Sequence, residues 1–86
     1  MSLSIVFEII FGVIIMTLMD RLKELRKNRN VTQKQVAENI ETGERNYRRY
    51  EYGESDPTYK VLIKIADFYD VSLDYLVGRS DDPKRR

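Results

Sequence analysis

The 86-residue sequence contains no cysteine and no histidine. These two absences exclude disulfide bonds, thiol nucleophiles, imidazole general bases and the usual zinc ligands. A Ser/His/Asp triad therefore cannot form, and no pair of carboxylates occurs in a pattern that predicts a catalytic pocket. We expect no catalytic residue, no metal site and no cofactor. A chain of this length predicts one small domain with a modest core.

The sequence also has little net charge, only +1, but its charges are unevenly distributed. Residues 20–50 contain nine Lys or Arg and five Asp or Glu, whereas residues 51–83 contain three and eight. The last three residues, 84–86, are all basic. Charges that only solvate helix surfaces do not account for this separation of signs. The basic half is therefore the part of the chain expected to contact an anionic partner.

Residues 3–19 form an almost entirely apolar run that contains Glu8. A transmembrane helix needs about 20 apolar residues, so this run is short, and a charge at its centre is costly. The run also has neither the basic start nor the small-residue cleavage site of a secretory signal. Its β-branched residues favour a strand, with a helix as the alternative, so we interpret residues 1–17 as an arm that packs against a second copy of the chain. The residues expected at this dimer contact are Ile5, Phe7, Ile9, Phe11 and Val13.

Two alternatives to the dimer arm stay open at this stage. One is that Met16 or Met19 is the true start of the protein, in which case the arm is dispensable. The other is that the apolar run tethers the chain to a membrane, which its length and Glu8 disfavour.

Residues 32–52 are predicted to form two short helices separated by a tight turn. Thr32 is a good N-cap, and Gln35 completes the capping-box pattern three residues later. Val36 and Ile40 then lie on one face of the first helix, which ends near Ile40.

The second helix is predicted to begin at Gly43 and to have two unlike faces. Tyr47 and Tyr50 are three residues apart and share the inward face. The outward stripe, at positions i, i+3, i+4 and i+7, consists of Arg45, Arg48, Arg49 and Tyr52. A helix that buries aromatic rings on one side and exposes three arginines on the other is suited to an anionic surface.

Two longer helices are predicted on either side of this pair. One begins near Thr17 or Asp20 and ends at about Asn28, with its leucines in a single apolar stripe. The other is capped by Thr58 and runs to about Tyr69. Its inner face is formed by Leu62, Ile65, Ala66 and Tyr69.

A last short helix and a tail are predicted at the end of the sequence. Ser72 caps this helix, which covers residues 73–77 and stops at Gly78. Residues 79–86 are polar and charged, and we expect them to form a mobile tail.

The pattern of residues 18–78 resembles the Xre-type helix-turn-helix family, which includes phage repressors and Cro-like regulators. Its many spaced positions make the resemblance specific. The matching residues are Thr32, Gln33, Val36, Ala37, Ile40, Tyr47, Tyr50, Glu51, Gly53, Pro57, residues 62–66 and residues 71–78. The resemblance implies an all-α, compact, five-helix repressor-like domain, preceded by the apolar arm at residues 1–17 and followed by the charged tail at residues 79–86.

Two positions depart from the family pattern. Glu41 occupies the usual place of a turn glycine, and Gly43 occupies the usual place of a capping Ser or Thr. A non-glycine residue in a left-handed conformation costs about 1–2 kcal/mol. The turn before the second helix is therefore expected to be strained or differently shaped.

The resemblance also implies which residues contact DNA bases. They are Glu44, Arg45 and Arg49, with Asn46 and Arg48 nearby as further candidates. An arginine fork matches the two acceptors of guanine, and a carboxylate can accept from cytosine. For Glu44, an intrahelical pair with Arg48 is an equal alternative, worth about 0.2–0.5 kcal/mol.

Phosphate contacts and one structural ion pair are implied in the same way. The first phosphate candidate is Gln33, for which a plain helix-start residue is the alternative. Weaker candidates are Lys34, Arg29 and Asn30, and Tyr52 is a further candidate for a contact with the DNA backbone. Gln33 begins the first helix of the pair, where it can direct the helix N-terminus at a phosphate. Arg26 and Glu51 are expected to pair with each other.

As a whole, the resemblance implies a cytoplasmic transcriptional regulator of bacterial or phage origin. Its expected partner is double-stranded DNA, bound as a homodimer on a pseudo-palindromic operator, and a protein effector is a further candidate partner. The alternative is a protein-interaction module on the same fold, since fold alone does not decide function. The arginine stripe favours DNA, because the alternative leaves it unexplained.

Overall fold

The computed structural model describes residues 17–85, and this part of the chain folds as five helices without a strand. The described part of α1 covers residues 17–28. The others are α2 (Gln33–Asn39), α3 (Glu44–Glu51), α4 (Tyr59–Tyr69) and α5 (Leu73–Leu76). The predicted all-α, five-helix domain is therefore confirmed. Residues 1–16 of the predicted dimer arm lie outside the described residues, whereas Thr17 belongs to α1.

Side-chain caps begin three of the helices at the predicted residues. The Thr32 hydroxyl accepts from the Gln35 N–H at 3.1 Å, and the Gln35 side chain accepts from the Thr32 N–H at 2.8 Å. Thr58 and Ser72 likewise accept from the backbone N–H three residues later, at 3.3 Å and 3.0 Å. These bonds satisfy donors that the first turn of a helix leaves unpaired.

The turn between α2 and α3 places Glu41 in the left-handed region, with a φ of 59°. The Thr42 N–H donates to the Ala37 carbonyl at 2.9 Å, as in the Schellman motif that glycine usually completes. The turn thus keeps the usual shape, and Glu41 bears the strain of about 1–2 kcal/mol. Its carboxylate lies 3.3 Å from the ammonium group of Lys64 on α4. Gly43 then occupies the N-cap position before α3 and supplies no side-chain cap bond.

The core contains apolar side chains from all five helices and the turns between them. They are Leu22, Val36, Ala37, Ile40, Tyr47, Tyr50, Ile65, Ala66, Tyr69, Val71 and Leu76. Full burial of each large side chain contributes about 1.5–3 kcal/mol. The predicted inner face of α4 is buried except at Leu62, which is only partly buried. Val61 and Phe68 pack against the core instead, because they share the i, i+4, i+7 stripe with Ile65.

Residues 79–85 fold back against the helices, whereas the sequence predicts a mobile tail. The carbonyl of Pro83 accepts from the N–H of Ser72 at 3.0 Å. The guanidinium of Arg85 lies 2.6 Å from the carboxylate of Asp67 on α4. The tail is therefore placed by contacts with residues that are distant in sequence, which composition does not reveal.

Candidate nucleic-acid interface

Helix α3 has one buried face and one exposed face. Tyr47 and Tyr50 are buried, at 0% and 7% exposure, as predicted. The exposed face carries the five predicted base-contact residues, Glu44, Arg45, Asn46, Arg48 and Arg49. The three arginines are therefore presented on a helix that the core holds in place.

Two buried tyrosines fix α3 against α4. The hydroxyl of Tyr47 lies 3.4 Å from the hydroxyl of Tyr69. Burial raises the pKa of Tyr47 and the pKa of Tyr69 above their ordinary values. Both hydroxyls therefore stay protonated at pH values at which an ordinary tyrosine ionises, so ionisation does not disturb this contact there.

An ion pair joins α1 to the end of α3. Arg26 donates through Nε to Oε2 of Glu51 at 2.7 Å and through Nη2 to Oε1 at 3.2 Å. This is the bidentate geometry to which the arginine fork is suited. The Glu51 side chain is 1% exposed and that of Arg26 is 20% exposed, and the hydrogen bond to Glu51 raises the pKa of Arg26. The structure thus brings together the two residues predicted to pair.

Gln33 lies between this ion pair and the exposed face of α3. Its Nε2 donates to Oε1 of Glu51 at 3.4 Å, and its Oε1 accepts from Nε of Arg48 at 3.4 Å. Arg48 in turn donates from Nη2 to Oε1 of Glu44 at 3.4 Å. The intrahelical Glu44–Arg48 pair is therefore present. The amide of Gln33, a predicted phosphate contact, is engaged within the protein.

The other base candidates differ in how they are held. Nε of Arg49 lies 3.9 Å from Oε2 of Glu54, and both side chains are exposed. Asn46 donates to the hydroxyl of Thr42 at 3.3 Å. Among the described residues, no carboxylate lies within ion-pair distance of Arg45. Arg45 is therefore the arginine on this face with the fewest internal commitments.

Arg29 makes hydrogen bonds to the end of α4 and does not belong to the exposed face of α3. Its Nη2 donates to the carbonyl of Tyr69 at 2.8 Å, and its Nη1 lies 3.5 Å from the carbonyl of Phe68. Carbonyls at a helix C-terminus have no intrahelical partner and attract cations. The guanidinium of Arg29 is thus held at the end of α4, and its contact with a phosphate stays a prediction.

A shallow cleft of about 650 Å³ lies beside the start of α2 and includes Gln33, Glu44 and Tyr52 in its lining. Lys27 also lines it, and Nζ of Lys23 lies 5.8 Å from the centre of the Tyr52 ring. Neither lysine is predicted from the sequence as an interface residue. Their i, i+4 spacing on α1 is the signal that would identify them. The remaining phosphate candidate, Lys34, is exposed on α2.

Two other kinds of site are absent from residues 17–85. This part of the chain has no group of three or more His, Cys, Asp or Glu that could hold a metal ion. None of its helices is long and apolar enough to cross a membrane.

Residues 22–76 match the family model described as Helix-turn-helix. The chain is 40% identical over 70 residues to the HTH-type transcriptional regulator ImmR of Bacillus subtilis (strain 168), covering 81% of this chain and 55% of that protein. It is 44% identical over 64 residues to the cryptic phage CTXphi transcriptional repressor RstR of Vibrio cholerae serotype O1, covering 74% of this chain and 57% of that protein.

A solved structure is similar to the described fold. The crystal structure of a transcriptional regulator from Listeria innocua aligns with a TM-score of 0.68 and 31% identity, covering 71% of this chain and 57% of that one. The chain thus spans a little over half the length of the relatives it matches. The names of these relatives are those of regulators and a repressor, and none is the name of an enzyme.

Proposed function

Because the chain belongs to the helix-turn-helix family of transcriptional regulators, we propose that it binds operator DNA sequence-specifically through α3. The family is one of regulators rather than of enzymes. In this proposal the protein acts in the cytoplasm, as a bacterial or phage-encoded regulator, and its partner is double-stranded DNA.

The observation that carries this proposal is the exposed face of α3. Three arginines lie on it, while Tyr47 and Glu51 anchor the opposite side of the same helix in the core. A recognition helix of this kind enters the major groove, which is about 12 Å wide and admits one α-helix. A helix fixed from behind can hold its side chains at constant distances from the base edges.

Within the proposed interface, Arg45 and Arg49 are the principal readers of bases. Each has the fork that matches the two acceptors of guanine. Glu44 completes the base-facing set, with Asn46 and Arg48 beside it. The phosphate contacts are Gln33, Lys34 and Tyr52, with Lys23 and Lys27 of α1 adding positive charge beside them.

We expect DNA binding to weaken as the salt concentration rises. Each phosphate neutralised by the protein adds about −0.9 to the slope of log affinity against log salt. Fluorescence anisotropy of a labelled duplex, measured at several salt concentrations, gives this slope. The variant Lys34→Ala should reduce the magnitude of this slope by about 0.9, the share of one phosphate contact. A response that does not change with salt would favour the protein-interaction module instead.

The proposal includes a dimer, because a pseudo-palindromic operator presents two half-sites. Two recognition helices must then lie about 34–36 Å apart to enter successive major grooves. Residues 1–17, most of which lie outside the described part, are proposed to join the two copies. Pairing of two apolar strands across a two-fold axis would satisfy their backbone groups and bury their side chains together.

A chain that begins at Met19 should fold, shift towards monomer and lose more operator affinity than helical content. The physical reason is that it keeps the core residues and loses the apolar arm. Sedimentation and circular dichroism measure the two effects separately. The variant Phe7→Asp keeps the length of the 86-residue chain and disrupts only the contact. It should also be monomeric, because burying an unpaired charge at the contact is costly. The same oligomeric state for the 86-residue chain and the shortened chain would contradict the arm as the dimer contact.

A further inference from the structure

A series of hydrogen bonds joins Glu51, Gln33, Arg48 and Glu44. The donor and the acceptor in each bond follow from which side-chain atoms can donate. The carboxylate of Glu51 accepts from Arg26 and also from Nε2 of Gln33, so the amide nitrogen of Gln33 is turned towards it. The Oε1 of Gln33 is then left facing α3. A guanidinium can only donate, and Nε of Arg48 meets this oxygen at 3.4 Å. The buried ion pair thus orients the Gln33 oxygen that accepts from Arg48.

Arg48 in turn contacts Glu44 and restricts the position of its carboxylate. Its Nη2 lies 3.4 Å from Oε1 of Glu44, and the side chains of Arg48 and Glu44 are 47% and 45% exposed. A carboxylate has two oxygens with about four lone-pair sites, so Glu44 keeps acceptors that face outward. Glu44 is also the first residue of α3, and the N-terminal residues of a recognition helix reach the base edges.

We propose that Glu44 determines specificity for one cytosine of the binding site and that Arg48 is a positioning residue for the Glu44 carboxylate. In the major groove cytosine offers an amino donor, which a carboxylate can accept. Arg48 therefore does not read a base itself. This assignment rests on the proposed DNA-binding function and names the roles of two residues within it.

Charge explains why Glu44 needs Arg48. DNA phosphates repel a lone carboxylate, and juxtaposed like charges oppose binding. The guanidinium of Arg48 offsets the charge of Glu44 while leaving an acceptor oxygen free. It also limits the rotamers of Glu44, which lowers the entropy lost when the side chain is fixed on a base.

The test compares variants by selection from a randomised duplex library followed by sequencing. Glu44→Gln should change the preference at one position from cytosine to adenine, because a glutamine amide pairs with adenine. Arg48→Met keeps a long side chain but removes its charge and donors. It should lower the cytosine preference at that same position by about fivefold or more, the lower end of what one base contact supplies. Gln33→Met should weaken the preference at this position in the same direction.

Arg49→Met is the matched control, since the same substitution one residue further along α3 should affect a different position. Two results for Arg48→Met would overturn the assignment. A loss at a position other than that of Glu44→Gln would make Arg48 a base reader, and an equal loss on all sequences would make it a phosphate contact. No sequence preference in the unaltered protein would instead refute the proposed function itself. The melting temperatures of all variants show whether any of them fails to fold.

Discussion

Replacing Arg26 with methionine is expected to lower the free energy of unfolding by about 3–5 kcal/mol. The substitution leaves the Glu51 carboxylate buried at 1% exposure without its cation. Water has little access to this charge, and the hydrogen bond from Gln33, at 3.4 Å, is too long to replace the pair with Arg26. The loss is a large part of the stability expected for a domain of this size. Urea denaturation followed by circular dichroism measures it.

Lys64→Met is the matched control for this prediction. It also removes one cation from an ion pair, but its partner Glu41 is 79% exposed. An exposed pair contributes only about 0–1 kcal/mol, so the control should be nearly neutral. Replacing both members, as Arg26→Met with Glu51→Leu, should recover much of the loss, because no buried charge is then left unpaired. Equal effects for Arg26→Met and Lys64→Met would contradict a structural role for the buried pair.

The second large effect is expected from Arg45→Ala, which should weaken binding to the selected operator by about 1–3 kcal/mol. Arg45 is exposed on α3, and no carboxylate among the described residues pairs with it. Its whole fork is therefore available to a guanine. Preference should be lost at one base position and kept at the others, as measured by binding to operator duplexes with single substitutions.

Arg79→Ala is the control for the loss of one positive charge. Arg79 lies in the tail, so its removal should leave the base preference unchanged and cost little affinity. If Arg45→Ala kept its full sequence preference, the outward face of α3 would not be the reading surface. A loss that is equal on every sequence would make Arg45 a phosphate contact instead.

Local features of the fold could be predicted from the sequence because neighbouring residues determine them. The capping box at Thr32, the caps at Thr58 and Ser72, and the start of α3 at Gly43 each involve bonds over about one turn of helix. The left-handed conformation of Glu41 was indicated only by the family resemblance, which left the shape of the turn open. The inner face of α3 follows from helical spacing.

Contacts between distant residues could not be predicted in the same way. Arg29 reaches carbonyls about forty residues away, and the amide of Gln33 joins α2 to Glu51 and Arg48 on α3. Such contacts depend on the angles between packed helices and on side-chain rotamers, which periodicity does not specify. The Arg26–Glu51 pair was accessible only through the family resemblance.

The most direct test of DNA reading by α3 is selection of genomic DNA fragments by the 86-residue chain, repeated at several salt concentrations. We predict enrichment of a single sequence motif, with affinity that falls as salt rises. The motif should change at one position when Arg45 is replaced by alanine. Recovery of fragments without a shared motif, at every salt concentration, would contradict the proposal that this protein reads DNA sequence.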